Sequence, residues 1–142
     1  MRSVLRTVGG LPVADPRSSG LILIVEDNEA RRAGLGKVVE AAGYRTASVV
    51  NGREALDYLD SNPSLDLILR DMLLPVLDGW HFLEEIQKIK KPVAPIIVTT
   101  GTILTRKWAE DHGCAGFIHK PIDVQELLQE IQRCISGGIP KT

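Results

Sequence analysis

The sequence predicts an α/β domain: a five-stranded parallel sheet, wound by right-handed crossovers, with helices on both faces. Two observations carry this reading. Short continuous apolar runs of strand length alternate with longer segments whose apolar residues recur at helical spacing. An acid or a base also stands where several of those runs end: Glu26-Asp27, then Asp71, then Lys120-Pro121. In an open parallel sheet the carboxyl ends of the strands are where ligands bind.

Each element has its own signal. Leu21–Val25 reads Leu-Ile-Leu-Ile-Val, the composition of a strand buried on both faces. Asn28 is placed to cap a helix whose apolar residues are Leu35, Val38, Val39 and Ala42, and Gly43 stops it. Residues 44–50 are rich in β-formers and give the second strand. Asn51 and Glu54 resemble a capping box for the second helix. Residues 65–69 give the third strand. Asp78 caps a third helix carrying Phe82, Leu83, Ile86 and Ile89. Residues 95–99 give the fourth strand, and 102–111 a polar, weakly patterned fourth helix. Gly116–His119 is the fifth strand. Asp123 and Glu126 form a capping pair for a last helix with Val124, Leu127, Leu128, Ile131 and Ile135.

Composition narrows the function classes. At 142 residues, 44% hydrophobic and 25% charged, the chain has the size and balance of one globular domain with a sizeable core. A formal charge of −1 argues for neither nucleic acid nor an anionic membrane as partner. No apolar stretch approaches the roughly 18 residues of a membrane span. Cys114 and Cys134 have neither CxxC nor metal-ligand spacing, which fits buried, reduced thiols and a cytoplasmic location. Residues 1–19 mix Gly, Pro, Ser and Arg without a period and are expected to be a flexible leader. The domain is expected over 20–137, with a short tail over 138–142.

The charged strand ends define the chemistry. Three carboxylates brought to one sheet edge repel one another and call for a cation. Carboxylate oxygens with open positions suit Mg²⁺, which keeps waters and accepts phosphate oxygens. An aspartate beside such an ion and a lysine is a site for receiving a phosphoryl group.

Four segments carry a family resemblance: LILIVEDNE, LILRDMLLPVLDG, PIIVTTGT and GFIHKPID. Each is weak alone. Their order and separations are specific: 44 residues from Asp27 to Asp71, 29 more to Thr100 and 20 more to Lys120. From Gly20 to Ser136 the chain resembles the receiver domain of bacterial two-component response regulators. The resemblance implies a flavodoxin-like, doubly wound sheet of strand order 2-1-3-4-5. It makes Asp71 the phosphoacceptor, attacking a phosphohistidine as nucleophile. Glu26, Asp27, Asp71 and the backbone carbonyl of Leu73 would hold Mg²⁺. Lys120 would pair with Asp71 and then with a phosphoryl oxygen, and Thr100 would donate its hydroxyl to another. Thr99 is a neighbouring candidate, but the family's position picks Thr100, one before Gly101. Thr100 and Phe117 would form the switch. The bond Lys120-Pro121 is cis in the family.

The resemblance also implies partners. The donor would be a sensor histidine kinase or a histidine phosphotransfer protein. A downstream protein would bind the family's helix 4–strand 5–helix 5 face, with no direct contact to nucleic acid. Because the chain ends after its fifth helix, the expectation is a stand-alone receiver that catalyses its own phosphotransfer and a slow self-dephosphorylation. Slowness follows from Leu73, which offers a hydrolytic water no hydrogen bond, and from the short Thr102.

Rivals are weaker on the residues. A pseudo-receiver that never accepts phosphate would not need Glu26, Asp27, Asp71, Thr100 and Lys120 together. A phosphatase working through an aspartyl phosphate would want an acid where Leu73 stands. A flavin-binding module of the same topology would want a Ser/Thr/Gly-rich phosphate loop, where this chain has the acidic EDNEARR. Other residues take structural readings: Thr99 as a strand residue packed or bonded locally, and His81, His112 and His119 as ordinary helix, turn and strand residues. Arg70 departs from the aliphatic or small residue common before the acceptor, and Gly101 stands where Ala is common.

Overall fold

The computed structural model describes residues 6–8, 11–13, 20–61, 65–71, 94–101 and 105–136, the first two segments by backbone alone. Two short antiparallel strands, β1 (Arg6–Val8) and β2 (Leu11–Val13), come first. Five parallel strands follow: β3 (Leu21–Val25), β4 (Arg45–Val49), β5 (Leu67–Asp71), β6 (Ile96–Thr100) and β7 (Gly116–His119). The described helices are α1 (Glu29–Ala41), α2 (Gly52–Ser61), α3 (Arg106–Asp111) and α4 (Val124–Ile135). The parallel sheet has the order β4-β3-β5-β6-β7, which is the expected 2-1-3-4-5. The reversal of strand order beside β3 opens the crevice in which such sheets bind ligands.

The central strands are mostly apolar because both their faces are covered. Ile22, Ile24, Leu67, Leu69, Ile97 and Ile118 pack with Val39 of α1 and Leu127 of α4. The alternate residues, Leu23, Val25, Ile68, Ile96 and Val98, pack with Ala55 of α2 and Ala109 of α3. Each fully buried Ile or Leu contributes about 1.5–3 kcal/mol of transfer free energy. These two cores fix strand register, because a one-residue slip would send every side chain to the opposite face.

Caps stand where the sequence puts them. Asn28 Oδ1 accepts the Arg31 N–H at 2.8 Å, and Asp123 Oδ1 accepts that of Glu126 at 3.1 Å. Asn51 Oδ1 accepts the Glu54 N–H at 2.8 Å, while Glu54 reaches back to the Val50 N–H at 3.0 Å. That return bond takes Val50 out of the ladder, so the second strand stops at Val49, one residue short of the expectation. Gly43 ends α1 with φ 102°, a conformation that costs other residues a Cβ clash.

Two strand boundaries are corrected. The third strand spans 67–71 and not 65–69, because its ladder with β6 runs up to Asp71 paired with Thr99. Asp66 instead lends its carboxylate to the Leu21 N–H at 2.9 Å. The fourth strand likewise shifts by one, to Ile96–Thr100. The leader holds β1 and β2, with β2 lying along α4. Gly9-Gly10 separates these strands, a pair suited to a two-residue hairpin connection. The polar fourth helix starts at Arg106, with Thr105 Oγ1 taking the Trp108 N–H at 3.1 Å. The helix expected after Asp78, residues 102–104 and the C-terminal boundary with its tail lie outside the described residues.

Gly116 and Gly34 give a paired test of this packing. A Cβ on Gly116 would meet Glu130 Oε2 at 2.7 Å and Ile97 Cγ1 at 2.9 Å, whereas one on Gly34 would meet nothing within 4 Å. Gly116→Ala should lower unfolding free energy by about 1–3 kcal/mol. Gly34→Ala, in mid-helix, should raise it by about 0.4–1 kcal/mol. Urea denaturation of both variants reads the two signs.

Candidate functional site

Glu26 closes β3, and its N–H donates to Val49 O at 3.1 Å. Asp27 follows and is exposed, while Glu26 is buried. The carboxylate of Glu26 accepts the Asn28 N–H at 3.0 Å and the Arg31 Nε at 3.4 Å. Arg32 Nη1 donates to the Glu26 carbonyl at 3.0 Å, pinning the start of the loop. Asp71 is the last residue of β5, and its carboxyl is almost wholly buried. Glu26, Asp27 and Asp71 each offer a carboxylate oxygen within 4.8 Å of the others.

The cation that meets Asp71 is Lys120. It follows β7, its N–H donates to Thr100 O at 2.8 Å, and the next peptide bond, Lys120-Pro121, is cis as the resemblance implies. Its Nζ lies 2.6 Å from Asp71 Oδ1. Lys120 on Asp71 and Arg31 on Glu26, against three carboxylates, leave the cluster short of positive charge. Glu26 shows the consequence. Burial pushes its carboxyl up to about 7, and the neighbouring Asp71 adds to the rise against the pull of the Asn28 N–H and Arg31. Asp71 Oδ2 is buried and has no hydrogen-bond partner among the described residues. A buried acceptor without a donor is costly, and a hard divalent cation satisfies it with the oxygen ligands present. The donor set therefore fits Mg²⁺.

The two threonines divide. Thr99 Oγ1 donates to Asp71 Oδ1 at 3.3 Å. Thr100 is fully buried, and strand alternation puts it on the other face, the side of Val98 and Phe117. Phe117 is buried there, with its N–H donating to Glu130 Oε2 at 3.0 Å and its carbonyl accepting Arg106 Nη2 at 3.2 Å. Glu130 also accepts from Arg133 at 3.0 Å and Arg106 at 3.3 Å. Burial alone would raise the Glu130 carboxyl, but Arg133, the Phe117 N–H and Arg106 outweigh it and hold the group below the usual carboxylate range. Arg70 is buried within β5. Cys114 and Cys134 are free, buried thiols, and burial pushes Cys114 up to about 12. His119 Nδ1 sits 2.8 Å from Lys120 O, and His112 Nδ1 sits 2.7 Å from Trp108 O.

Sequence reasoning named Glu26, Asp27, Asp71 and Lys120, and the structure brings them together. It missed the bond from Thr99 to Asp71 and the three-donor role of Glu130. Leu73, His81 and Thr102 lie outside the described residues.

With this site at the sheet edge, the comparisons with known proteins are decisive. The response regulator receiver domain profile matches residues 22–132. The chain belongs to the response regulator receiver domain family. Sporulation initiation phosphotransferase F of Bacillus subtilis is 31% identical over 113 residues, covering 79% of this chain and 90% of that protein. The signal receiver domain of a signal transduction histidine kinase from Syntrophus aciditrophicus is 32% identical, with a TM-score of 0.73 over 87% of this chain and 96% of that one. A response regulator receiver domain protein from Clostridium thermocellum is 26% identical, with a TM-score of 0.74 over 84% and 96%. The chain spans only 25% to 56% of the length of several other curated relatives. No helix among the described residues is long and apolar enough to cross a membrane.

The charge balance of this receiver domain predicts opposite effects for two substitutions. Asp71→Asn relieves the carboxylate cluster and should raise stability by about 1 kcal/mol, the scale of one charge contact in a hydrated site. Lys120→Met leaves the buried Asp71 carboxylate without its cation partner and should lower stability by about 1–3 kcal/mol. Urea midpoints in metal-free buffer check both.

Proposed function

We propose that this receiver domain accepts a phosphoryl group on Asp71 from a phosphohistidine and thereby switches a protein-binding surface. The observation that carries the reading is Lys120 Nζ at 2.6 Å from Asp71 Oδ1, beside Glu26 and Asp27, at the carboxyl edge of the sheet. The lysine holds the acceptor carboxylate in the buried position where it is found. In the step itself an Asp71 oxygen forms a bond to phosphorus as the phosphorus–nitrogen bond of the phosphohistidine breaks. The electron pair goes to the imidazole nitrogen, and an acyl phosphate remains.

Glu26, Asp27, Asp71 and the Leu73 carbonyl would hold Mg²⁺, which would offset the charge that gathers on the phosphoryl oxygens. Lys120 would turn from the carboxylate to one phosphoryl oxygen, and Thr100 would donate to another. Thr100 lies on the Phe117 side of β6, so its movement would be felt by that ring. The bonds tying Phe117 to Glu130 and Arg106 would then pass the change to α3 and α4. A downstream protein would read that face. The donor would be a sensor histidine kinase or a histidine phosphotransfer protein. The proposal carries a cytoplasmic location with it, where such a donor would be charged from a nucleoside triphosphate. A phosphate-independent interaction module would have no use for a lysine paired with a buried aspartate.

Acetyl phosphate with Mg²⁺ should add one phosphoryl group, read by intact mass. Asp71→Asn should abolish the addition, and Asp27→Ala should raise the Mg²⁺ concentration that supports it. Unchanged labelling of Asp71→Asn would sink the assignment. After rapid removal of the donor, loss of the group should take minutes or longer, because Leu73 offers a hydrolytic water no hydrogen bond. Decay within seconds would show that Leu73 does not limit water access.

A further inference from the structure

We propose that Thr99 is a positioning residue for phosphoryl acceptance, its hydroxyl bonding one oxygen of Asp71 and so fixing the plane of the carboxylate and the oxygen left to react. The inference deepens the receiver reading and rests on it.

The sheet itself brings the two residues together. Asp71 and Thr99 are register partners at the end of the β5–β6 ladder. Register partners in a parallel pair project to the same side of the sheet, so the hydroxyl and the carboxylate share a face by construction. Ile97 and Leu69, two residues back on each strand, pack in one core and keep that register rigid. Thr99 is buried, so water does not compete for its hydroxyl. The hydroxyl donates to Asp71 Oδ1 at 3.3 Å, the same oxygen that Lys120 Nζ approaches at 2.6 Å.

Two donors on one oxygen have a specific effect. The terminal torsion of an aspartate is broad, and a single contact at Oδ1 leaves the carboxylate free to turn about it. The lysine ends a flexible four-carbon stem and defines distance better than direction. A second donor on a β-branched side chain from a neighbouring strand is stiff and sets direction. Oδ1 is thereby occupied. Oδ2, which has no hydrogen-bond partner among the described residues, keeps its lone pairs for a cation or for phosphorus. Orientation of this kind lowers the barrier of the bound complex and not the affinity for donor.

Thr100 is not an equivalent hydroxyl, because alternation sets it on the opposite face with Val98. Thr99 thus acts on the resting acceptor, and Thr100 is left to act after transfer.

The test follows the rate of labelling by phosphoramidate at saturating Mg²⁺, as a function of donor concentration. Thr99→Val keeps the branched shape and removes the donor. Its plateau rate should fall about five-fold, the worth of one hydrogen bond, with the half-saturating donor concentration unchanged. Thr99→Ser restores a hydroxyl and should recover most of the plateau. Thermal midpoints of both variants show whether they are folded at the assay temperature. A plateau in Thr99→Val equal to wild type, with wild type labelled normally, overturns this inference and leaves the receiver reading standing. So does a fall that Thr99→Ser does not rescue while both variants are folded. A wild type that takes no phosphoryl group overturns the receiver reading and this inference with it.

Discussion

One electrostatic imbalance organises the site end of this molecule. Glu26, Asp27 and Asp71 are held within 4.8 Å of one another, and Lys120 is the cation whose ammonium meets Asp71. Bringing like charges together in a partly buried place costs free energy that the rest of the fold must offset. Two packed cores and a fixed strand register do so. Glu26 directly follows β3 and Asp71 ends β5, adjacent strands in parallel, so any arrangement that keeps Leu23, Val25 and Ile68 in one core drives these acids together. Burial raises the Glu26 carboxyl first, and Asp71 beside it adds to the rise. A protein stores such repulsion at a site that a cation relieves.

A second set of bonds ties the site to the far side of the sheet. Phe117 has both its N–H and its carbonyl held by side chains, Glu130 from α4 and Arg106 from α3. Three residues later the chain reaches Lys120. The Arg106 guanidinium also lies 6.0 Å from the centre of the Phe117 ring. Gly116 is small enough to let Glu130 come down onto the strand. A displacement of Lys120 or Phe117 is therefore opposed by bonds to both helices at once. That is the physical form a two-state element takes: discrete bonds that hold or break together.

The parts of this structure that were legible in the sequence are those whose signals are local. Asn28, Asn51 and Asp123 bond amides three residues away, so their roles show in a short window. Leu21–Val25 announces a two-sided strand by composition alone. Asp71 and Lys120 were legible because each ends an apolar run at a separation the family shares. The division between Thr99 and Thr100 was not legible, because it depends on the face each shows, and the strand runs two residues further than the apolar run. Glu130 was not legible either: its donors come from β7, α3 and its own helix, with no common spacing. The strands at 6–13 were missed because a Gly-Gly between two short mixed runs reads equally as linker or as hairpin.

The claim on which the account rests is that Asp71, and no neighbouring group, becomes the acyl phosphate. Borohydride reduces an acyl phosphate to the alcohol and leaves free carboxylates alone, so a phosphorylated aspartate is left as homoserine. Wild-type protein treated with acetyl phosphate and Mg²⁺, then reduced, digested and sequenced by mass spectrometry, should carry homoserine at position 71 and at no other aspartate. It should carry none when the donor is withheld. Homoserine at Asp27, at another aspartate, or at no position in protein that has gained a phosphoryl group would contradict the account.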